Sequence, residues 1–349
     1  MKRNKTAFGV LILLVVLAVA AWWMRSADSL EGELSDFAFQ DTASVDQLFL
    51  ADKNGHQVTL KRRGDGSWSV NEKFTARKDA IDNLLYTIRA VQVKSPVGKN
   101  LYNNTMKVMA ATSVKIEIYS GGNAVKKYYV GHPTMDNLGT FMYIEKSTKP
   151  FITHIPGFNG FLTTRYFAME SEWRDKSIFR FDPRGITRVR IDEYSRPDRT
   201  FELNRLPDST YSVVSGAQST PISSLDLNKI RLFLSAFSET YFERIDGEMK
   251  TGQVDSIRRS APFAKIQVKL DDGVARELTC YRKPLTASTR LQLDPVSGMP
   301  VPFDLDKFYG FMSGDSSMLV CQYFHFDRIL KDPQNFTPGP DKTPAQSRF

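Results

Sequence analysis

The stretch Val45-Asp46-Gln47-Leu48-Phe49-Leu50 decides the fold, because Ile186-Thr187-Arg188-Val189-Arg190-Ile191 repeats its pattern in the second half of the chain. In both stretches apolar residues recur at the spacing expected of a β-strand with one buried face. Turn-forming residues follow each stretch, and two further strand patterns come after them. These further patterns are Val58–Leu60 and Trp68–Val70 in the first half, and Phe201–Leu203 and Tyr211–Val213 in the second. The sequence therefore predicts an internal duplication.

An amphipathic helix is predicted at the same place in each half, followed by an alternating strand. The helical positions are Ile81, Leu84, Leu85 and Ile88, matched by Ile230, Phe233, Leu234 and Phe237. The strands are Val114–Ile118 and Ala264–Val268. We therefore expect an α+β fold, in which an N-terminal transmembrane helix precedes two duplicated lobes, residues 45–178 and 179–331. Each lobe is expected to be an antiparallel sheet with a helix packed on its apolar face.

The N-terminus predicts a membrane anchor. Lys2, Arg3 and Lys5 precede an uncharged run, Ala7–Met24, whose 18 residues would extend roughly 27 Å as a helix. By the positive-inside rule, residues 1–25 form a cytoplasmic stub and a single-pass anchor in the cytoplasmic (inner) membrane. The bulk of the chain is then periplasmic or otherwise extracytoplasmic.

A cleaved signal peptide is the alternative, because Ala18-Val19-Ala20 has the small residues that signal peptidase prefers, and the mature chain would then begin near Ala21. The length of the apolar run and the interfacial pair Trp22-Trp23 favour a retained anchor.

Composition limits the remaining possibilities. Residues 26–44 are predicted to be a polar tether, and residues 332–349, with four prolines, a disordered tail. The formal net charge of +8 comes from 47 basic and 39 acidic residues, without a long basic stripe, so nucleic acid is not an expected partner.

Several local strings resemble the family of membrane-anchored proteins catalogued as domain of unknown function 4340. The strings are Ala80–Leu85, Gly131–Asp136, Gly139–Met142, Pro150–Phe158 and Trp173–Asp175. The resemblance implies an envelope protein with one N-terminal anchor, and it transfers no catalytic residues. Some relatives look as though they belong beside ABC-transporter components, which implies an accessory role.

The loop Pro156-Gly157-Phe158-Asn159-Gly160-Phe161 is a candidate interaction site. Pro156, Gly157 and Gly160 predict an unusual backbone path, while Phe158 and Phe161 supply large apolar surfaces. The same composition suits an apolar plug between the lobes, and the sequence leaves both interpretations open.

Polar candidates are few. His132, Asp136 and His154 form a possible polar cluster, although histidines in loops more often bind the backbone. The four histidines lack the spacing of metal ligands on one helix face, and we expect no metal or other cofactor.

Cys280 and Cys321 form either a disulfide or two small apolar fillers of the second lobe. The string Gly314-Asp315-Ser316-Ser317 is reminiscent of a serine esterase, with His325 as the only histidine after it.

The sequence thus predicts a non-enzymatic scaffold or accessory subunit of a membrane transport or assembly complex. Its expected partners are the membrane, through the N-terminal helix, and envelope proteins, ABC-transporter components among them. The alternative is an extracytoplasmic ligand-binding module that uses a cleft between the lobes. A hydrolase centred on Ser316 is the least favoured function.

Overall fold

A computed structural model describes residues 35–216, 220–247, 249–285, 291–293 and 298–339. The chain divides into two compact units between Asp175 and Lys176, a boundary slightly earlier than the sequence suggested. The predicted anchor, residues 7–24, lies outside the described residues. None of the helices formed by the described residues is long and apolar enough to cross a bilayer.

The first unit is a nine-stranded antiparallel sheet with helices on it. Its strands are β1 (Val45–Ala51), β2 (Gln57–Arg62), β3 (Trp68–Val70), β4 (Phe74–Thr75), β5 (Gln92–Pro96), β6 (Val114–Ser120), β7 (Asn123–Pro133), β8 (Thr140–Ile144) and β9 (Phe151–His154). The helices are α1 (Lys78–Ala90), α2 (Lys99–Thr112) and the short α3 (Glu170–Trp173). The strand order across the sheet is β4-β3-β2-β1-β6-β7-β8-β9-β5.

The second unit has a sheet of the same kind. It contains β10 (Ser177–Phe179), β11 (Ile186–Glu193), β12 (Phe201–Arg205), β13 (Tyr211–Ser215), β14 (Thr220–Pro221), β15 (Thr240–Tyr241), β16 (Arg244–Ile245), β17 (Ala264–Leu270), β18 (Ala275–Pro284), β19 (Gln292–Leu293), β20 (Pro300–Val301), β21 (Phe303–Met312) and β22 (Leu319–Gln322). Its helices are α4 (Leu227–Ser235), α5 (Thr251–Arg259) and the short α6 (Tyr323–Phe326). The main sheet has the order β14-β13-β12-β11-β17-β18-β21-β22-β16, and β10–β15 and β19–β20 form two small separate pairs.

The two main sheets have the same strand order, position by position. Leu48 of β1 lies opposite Leu60 and Ile118, the first on β2 and the second on β6. Val189 of β11 lies opposite Leu203 and Val268 in the corresponding places. Antiparallel sheets with helices packed on them confirm the α+β class expected from the sequence.

One helix in each unit covers the apolar face of the sheet, as predicted. Ile81, Leu84 and Ile88 of α1 are buried in the core of the first unit. Ile230 and Phe233 of α4 are buried in the core of the second. Burial of such side chains contributes roughly 1.5–3 kcal/mol each to folding.

A second helix in each unit, which the sequence did not predict, packs on the opposite face of the sheet. Met109 of α2 is buried against Phe141 of β8. Val254 and Ile257 of α5 pack against a small cluster that contains Tyr309 of β21. These helices lack a broad apolar stripe, because each one covers only part of a sheet face.

The predicted tether and tail each contribute a buried phenylalanine to a core. The Phe37 ring lies edge-on to the rings of Tyr128 and Phe151, with centroid distances of 5.7 and 6.0 Å. The Phe336 ring, in the 3₁₀ turn Pro333–Phe336, packs edge-on against Phe201 at 5.2 Å. The expectation of a tether over 26–44 and a disordered tail over 332–349 is therefore wrong for residues 35–44 and 332–339, which fold with the units.

Candidate functional site

Two loops of the first unit lie at the same end of its sheet. Residues 134–139 connect β7 to β8, and residues 155–161 follow β9. Because β8 is antiparallel to both β7 and β9, the end of β7, the start of β8 and the end of β9 coincide. We call these two loops the hairpin end of the first unit. The sequence had singled out Asp136 and the loop 156–161 separately, and the sheet brings them to one place.

Two hydrogen bonds join the hairpin end to the segment that follows it. The Leu162 N–H donates to the hydroxyl of Thr140, the first residue of β8, at 2.7 Å. The Thr163 hydroxyl donates to the carbonyl of Gly131, on β7, at 2.7 Å. These bonds fix the course of the chain directly after the loop 155–161, relative to the hairpin.

The 134–139 turn is held together by its own side chains. The Thr134 N–H donates to the Gly139 carbonyl at 2.9 Å, and the Leu138 N–H donates to the Asp136 carboxylate at 3.0 Å. The Thr134 hydroxyl also donates to that carboxylate, and these two bonds lower the pKa of Asp136 below its ordinary value. A side chain at Gly139 would collide with Ile152 at 2.7 Å, so glycine is required there. The Asp136 carboxylate therefore has a structural role inside the turn.

The same turn displays two apolar side chains to solvent. Met135 is fully exposed, and Leu138 is exposed as well. Since the turn is internally hydrogen-bonded, these side chains project from a preformed backbone. Sequence reasoning missed them, although two apolar residues in a turn between strands were a visible signal.

Phe158 is exposed in the second loop and is held from two sides. Gly157 has φ +78°, and a Cβ atom on Gly160 would lie 2.9 Å from the Phe158 ring. The Arg165 guanidinium lies 4.4 Å from the centroid of that ring and donates to the Thr87 hydroxyl at 3.0 Å. Pro156 and Asn159 are exposed beside Phe158, and Phe161 is half-buried. The loop thus presents one aromatic side chain in a fixed position.

His132, Asp136 and His154 do not form a bonded cluster. His132 stacks on Phe141, with ring centroids 4.7 Å apart, and its buried Nδ1 has no hydrogen-bond partner. Burial lowers the pKa of His132. His154 lies opposite Gln92 at the edge of the sheet, while Asp136 bonds within its own turn. Within the described part of the chain, no three His, Cys, Asp or Glu side chains are placed to hold a metal ion.

The family of the chain follows from a profile comparison. The profile described as a domain of unknown function, DUF4340, matches residues 68–255, more than half of the chain. The chain belongs to the DUF4340 family. A search of curated proteins and a search of solved structures gave no match. The DUF4340 match confirms the resemblance seen in the sequence strings, and it contains the whole hairpin end.

The two cysteines of the second unit lie beyond the DUF4340 match and are free thiols, both fully buried. Cys280 is on β18 and Cys321 is on β22, and β21 runs between these strands. Two strand spacings amount to roughly 9.5 Å, and a disulfide needs Cα atoms within about 7 Å. The structure therefore argues against the disulfide and supports the alternative of two apolar fillers. Burial also raises the pKa of both thiols, which keeps them protonated.

Ser316, also beyond the DUF4340 match, lies in the β21–β22 turn. The Asp315 carboxylate accepts from the Ser317 N–H at 2.9 Å, and the Ser316 carbonyl accepts from the Arg258 guanidinium at 2.9 Å. His325 lies past the other end of β22. The serine and the histidine are thus separated by the length of a strand, which is too far for proton transfer between them.

An open cavity of about 270 Å³ lies on β11, β17 and β18 of the second unit. Its charged lining includes Arg188, Lys269, Arg276 and Glu277. Glu277 already accepts from the Gln267 amide at 2.7 Å. The lining therefore mixes both charge signs and defines no single class of ligand.

Proposed function

We propose that the chain is a membrane-anchored, non-enzymatic scaffold or accessory subunit of a transport or assembly complex in the cell envelope. The apolar run at residues 7–24 is the anchor, and both folded units are extracytoplasmic. The loop 156–161 is the surface that contacts a partner protein, and ABC-transporter components are the partner class that the family resemblance suggests.

The burial of Phe37, close to the proposed anchor in the sequence, supports close anchoring. Phe37 is buried in the core of the first unit, and the Asp36 carboxylate accepts from the Lys126 ammonium at 2.8 Å. The Phe39 N–H donates to the Ile88 carbonyl at 3.1 Å. Residues 25–36 therefore separate the anchor from a fixed point of the fold, and twelve residues span at most roughly 40 Å. The first unit is held near the membrane.

The roles of the polar candidates support a non-enzymatic function. Asp136 and Asp315 bond within turns, and Cys280 and Cys321 fill a core. His132 is stacked on an aromatic ring rather than paired with an acid or a nucleophile. Nucleophilic and general-base catalysis need such pairs within hydrogen-bonding reach.

The observation that carries the proposal is the exposed Phe158 ring in a rigid loop. Aromatic side chains that are fixed before binding lose little conformational entropy when a partner covers them. The stacked Arg165 adds a cationic side chain of the type that is enriched at protein interfaces.

Affinity purification of the full-length chain from crosslinked membranes tests the proposal. Mass spectrometry should find the N-terminus intact and envelope membrane proteins in stoichiometric amounts. Phe158→Ser should reduce the recovery of these proteins. Leu206→Ser is the matched control, because Leu206 is 40% exposed against 36% for Phe158 and lies in a turn of the second unit.

A bait recovered alone would contradict the scaffold function. A bait that begins near Ala21 would show that the anchor is cleaved. Equal recovery with Phe158→Ser and with the control would show that the loop 156–161 is not the contact surface.

A further inference from the structure

We propose that Met135 and Leu138, at the tip of the β7–β8 hairpin, lie in the interfacial layer of the lipid bilayer that holds the anchor. This inference rests on the proposed function in one respect, namely that residues 7–24 are inserted in that bilayer. It adds a second contact between the first unit and the membrane.

The shape of the hairpin suits a bilayer surface. Met135 is fully exposed at the tip of a turn, and the turn is fixed by bonds from Thr134 and Leu138 to Asp136. Apolar side chains on a projecting, preformed turn can enter the headgroup layer without any rearrangement of the fold. A protein partner would need a complementary pocket to bind such a tip.

The charges around the tip favour an apolar contact over an electrostatic one. Asp136 accepts two hydrogen bonds from its own turn, and Lys94 is the cation whose charge acts on its carboxylate. The Arg165 guanidinium is already engaged, because it stacks on the Phe158 ring and donates to the Thr87 hydroxyl. The tip therefore carries no strongly basic cluster of the kind that anionic lipids attract.

The opposite end of the same strands is different. The β6–β7 turn there is Gly121-Gly122, and Val125 is the exposed apolar residue beside it. The corresponding end of the second unit also exposes apolar side chains, namely Leu291, Met299 and Phe324.

The reach of the chain allows the contact. Phe37 packs on Tyr128 of β7, the strand that continues to the hairpin. Five residues of β-strand separate Tyr128 from Pro133, a distance of roughly 17 Å. Residues 25–36 can span at most roughly 40 Å. The hairpin tip can therefore touch the bilayer while the anchor stays inserted.

A fluorescence experiment on the full-length chain tests the inference. Met135→Cys is labelled with an environment-sensitive fluorophore and reconstituted with phosphatidylcholine vesicles. Cys280 and Cys321 are fully buried and should not react. Val125→Cys is the control for Leu138→Cys, because Val125 is 38% exposed near the other end of β7 and Leu138 is 46% exposed. Leu138→Cys is a second test position in case Met135→Cys labels poorly.

On reconstitution, we expect the fluorescence emission of the label at position 135 to shift to shorter wavelength and to become several-fold more intense. Spin-labelled lipid should quench this emission. The label at position 125 should change in neither respect. High salt should leave the signal at position 135 unchanged, because the contact is apolar.

Other outcomes overturn the inference in distinguishable ways. If the chain floats with the vesicles but the label at position 135 stays in water, the tip contact is wrong and the proposed function stands. If the label is shielded in native membranes but not in pure lipid, a protein covers the tip instead. If the chain does not float with the vesicles, the anchor itself is wrong, and the proposed function fails with it.

Discussion

The two units share a strand order but fill equivalent positions with different side chains. Met142 of β8 lies opposite Val130 of β7, whereas Gly310 of β21 lies opposite Cys280 of β18. A Cβ atom on Gly310 would lie 3.2 Å from the Cys321 sulfur. The space beside Gly310 is therefore filled by Leu278 of β18 and the Cys321 thiol of β22, where the first unit has the long side chain of Met142. The duplication has preserved the path of the backbone and not the packing around it.

The two cores also differ in which part of the chain supplies a buried terminal phenylalanine. Phe37 comes from the segment before β1, and Phe336 comes from the segment after α6. Each ring packs edge-on against aromatic rings of its own unit. The two units thus depend on opposite ends of the chain, which lets their stabilities be perturbed separately.

Phe37→Ala and Phe336→Ala should have the largest effects. Removal of a buried phenylalanine ring costs about 3–5 kcal/mol of unfolding free energy. Trp68 and Trp173 are buried in the first unit, and no tryptophan follows Trp173 in the sequence. Denaturant unfolding followed by tryptophan fluorescence should therefore move to lower denaturant for Phe37→Ala and stay in place for Phe336→Ala.

Far-ultraviolet circular dichroism, which reports on both units, should show a loss of stability in each variant. Trp22 and Trp23 are replaced by Phe in the starting protein, so that fluorescence reports on the first unit alone. A fluorescence midpoint that moves equally in both variants would show that the two units unfold as one.

Gly310→Ala should have the next largest effect. Besides the contact with Cys321, the new Cβ atom would lie 2.9 Å from Leu278 Cδ1, so the core must shift. Overpacking of this kind costs about 1–3 kcal/mol of unfolding free energy. Circular dichroism measures this loss, since the second unit contains no tryptophan. Gly64→Ala is the control, because a Cβ there meets no atom within 4 Å, and its stability should change by no more than about 1 kcal/mol. A cost for Gly310→Ala as small as the control's would mean that Leu278 and Cys321 move aside freely.

Much of the fold could be predicted from the sequence, because strand alternation and the α1 and α4 stripes are local patterns. For example, the alternating patterns around Leu48 and Val189 predicted the strands β1 and β11 correctly. The α2 and α5 helices could not be predicted in this way, since they cover only small patches of sheet. Their packed apolar residues are few, Met109 in α2 and Val254 and Ile257 in α5, so the apolar stripe of each helix is narrow.

The sequence predicted individual residues of the candidate site but not that they lie together. Asp136 and Phe158 are far apart in the sequence, and antiparallel pairing of β8 with its two neighbours brings their loops to one end of the sheet. Phe37 was missed because one apolar residue in a polar segment has no periodic pattern. Whether it is buried depends on a tertiary contact with Tyr128.

A pH titration should reveal a further, smaller difference between the units. Burial holds the pKa of His132 below its ordinary value of 6.5, so the unfolded chain takes up a proton more readily than the folded chain. The stability that comes from keeping His132 neutral should therefore be fully present above pH 6.5 and be lost as the pH falls below it. His132→Gln should reduce this dependence in the tryptophan signal. An unchanged dependence in the variant would show that another group titrates.

The smallest expected effects concern an ion pair in each sheet. The lysines, Lys115 on β6 and Lys265 on β17, occupy corresponding places, whereas Glu117 lies on β6 and Glu277 on β18. Glu117 accepts from Lys115 at 2.6 Å, and Glu277 accepts from Lys265 at 3.0 Å. Burial acts to raise the pKa of Glu117, but the bonds from Lys115 and Tyr119 outweigh it and keep that pKa low. The Glu117 side chain is 12% exposed and that of Glu277 31%.

Because solvent screens the more exposed pair, Glu277→Gln should cost only a few tenths of a kcal/mol, within the range of surface pairs. Glu117→Gln should cost about 1 kcal/mol, since Glu117 is the less exposed carboxylate and pairs with Lys127 as well as Lys115. Tryptophan fluorescence measures the unfolding of Glu117→Gln, in the first unit, and circular dichroism measures that of Glu277→Gln, in the second. Added salt should narrow the difference. Equal costs at low salt would mean that the exposure of the carboxylate does not decide the cost of losing the pair.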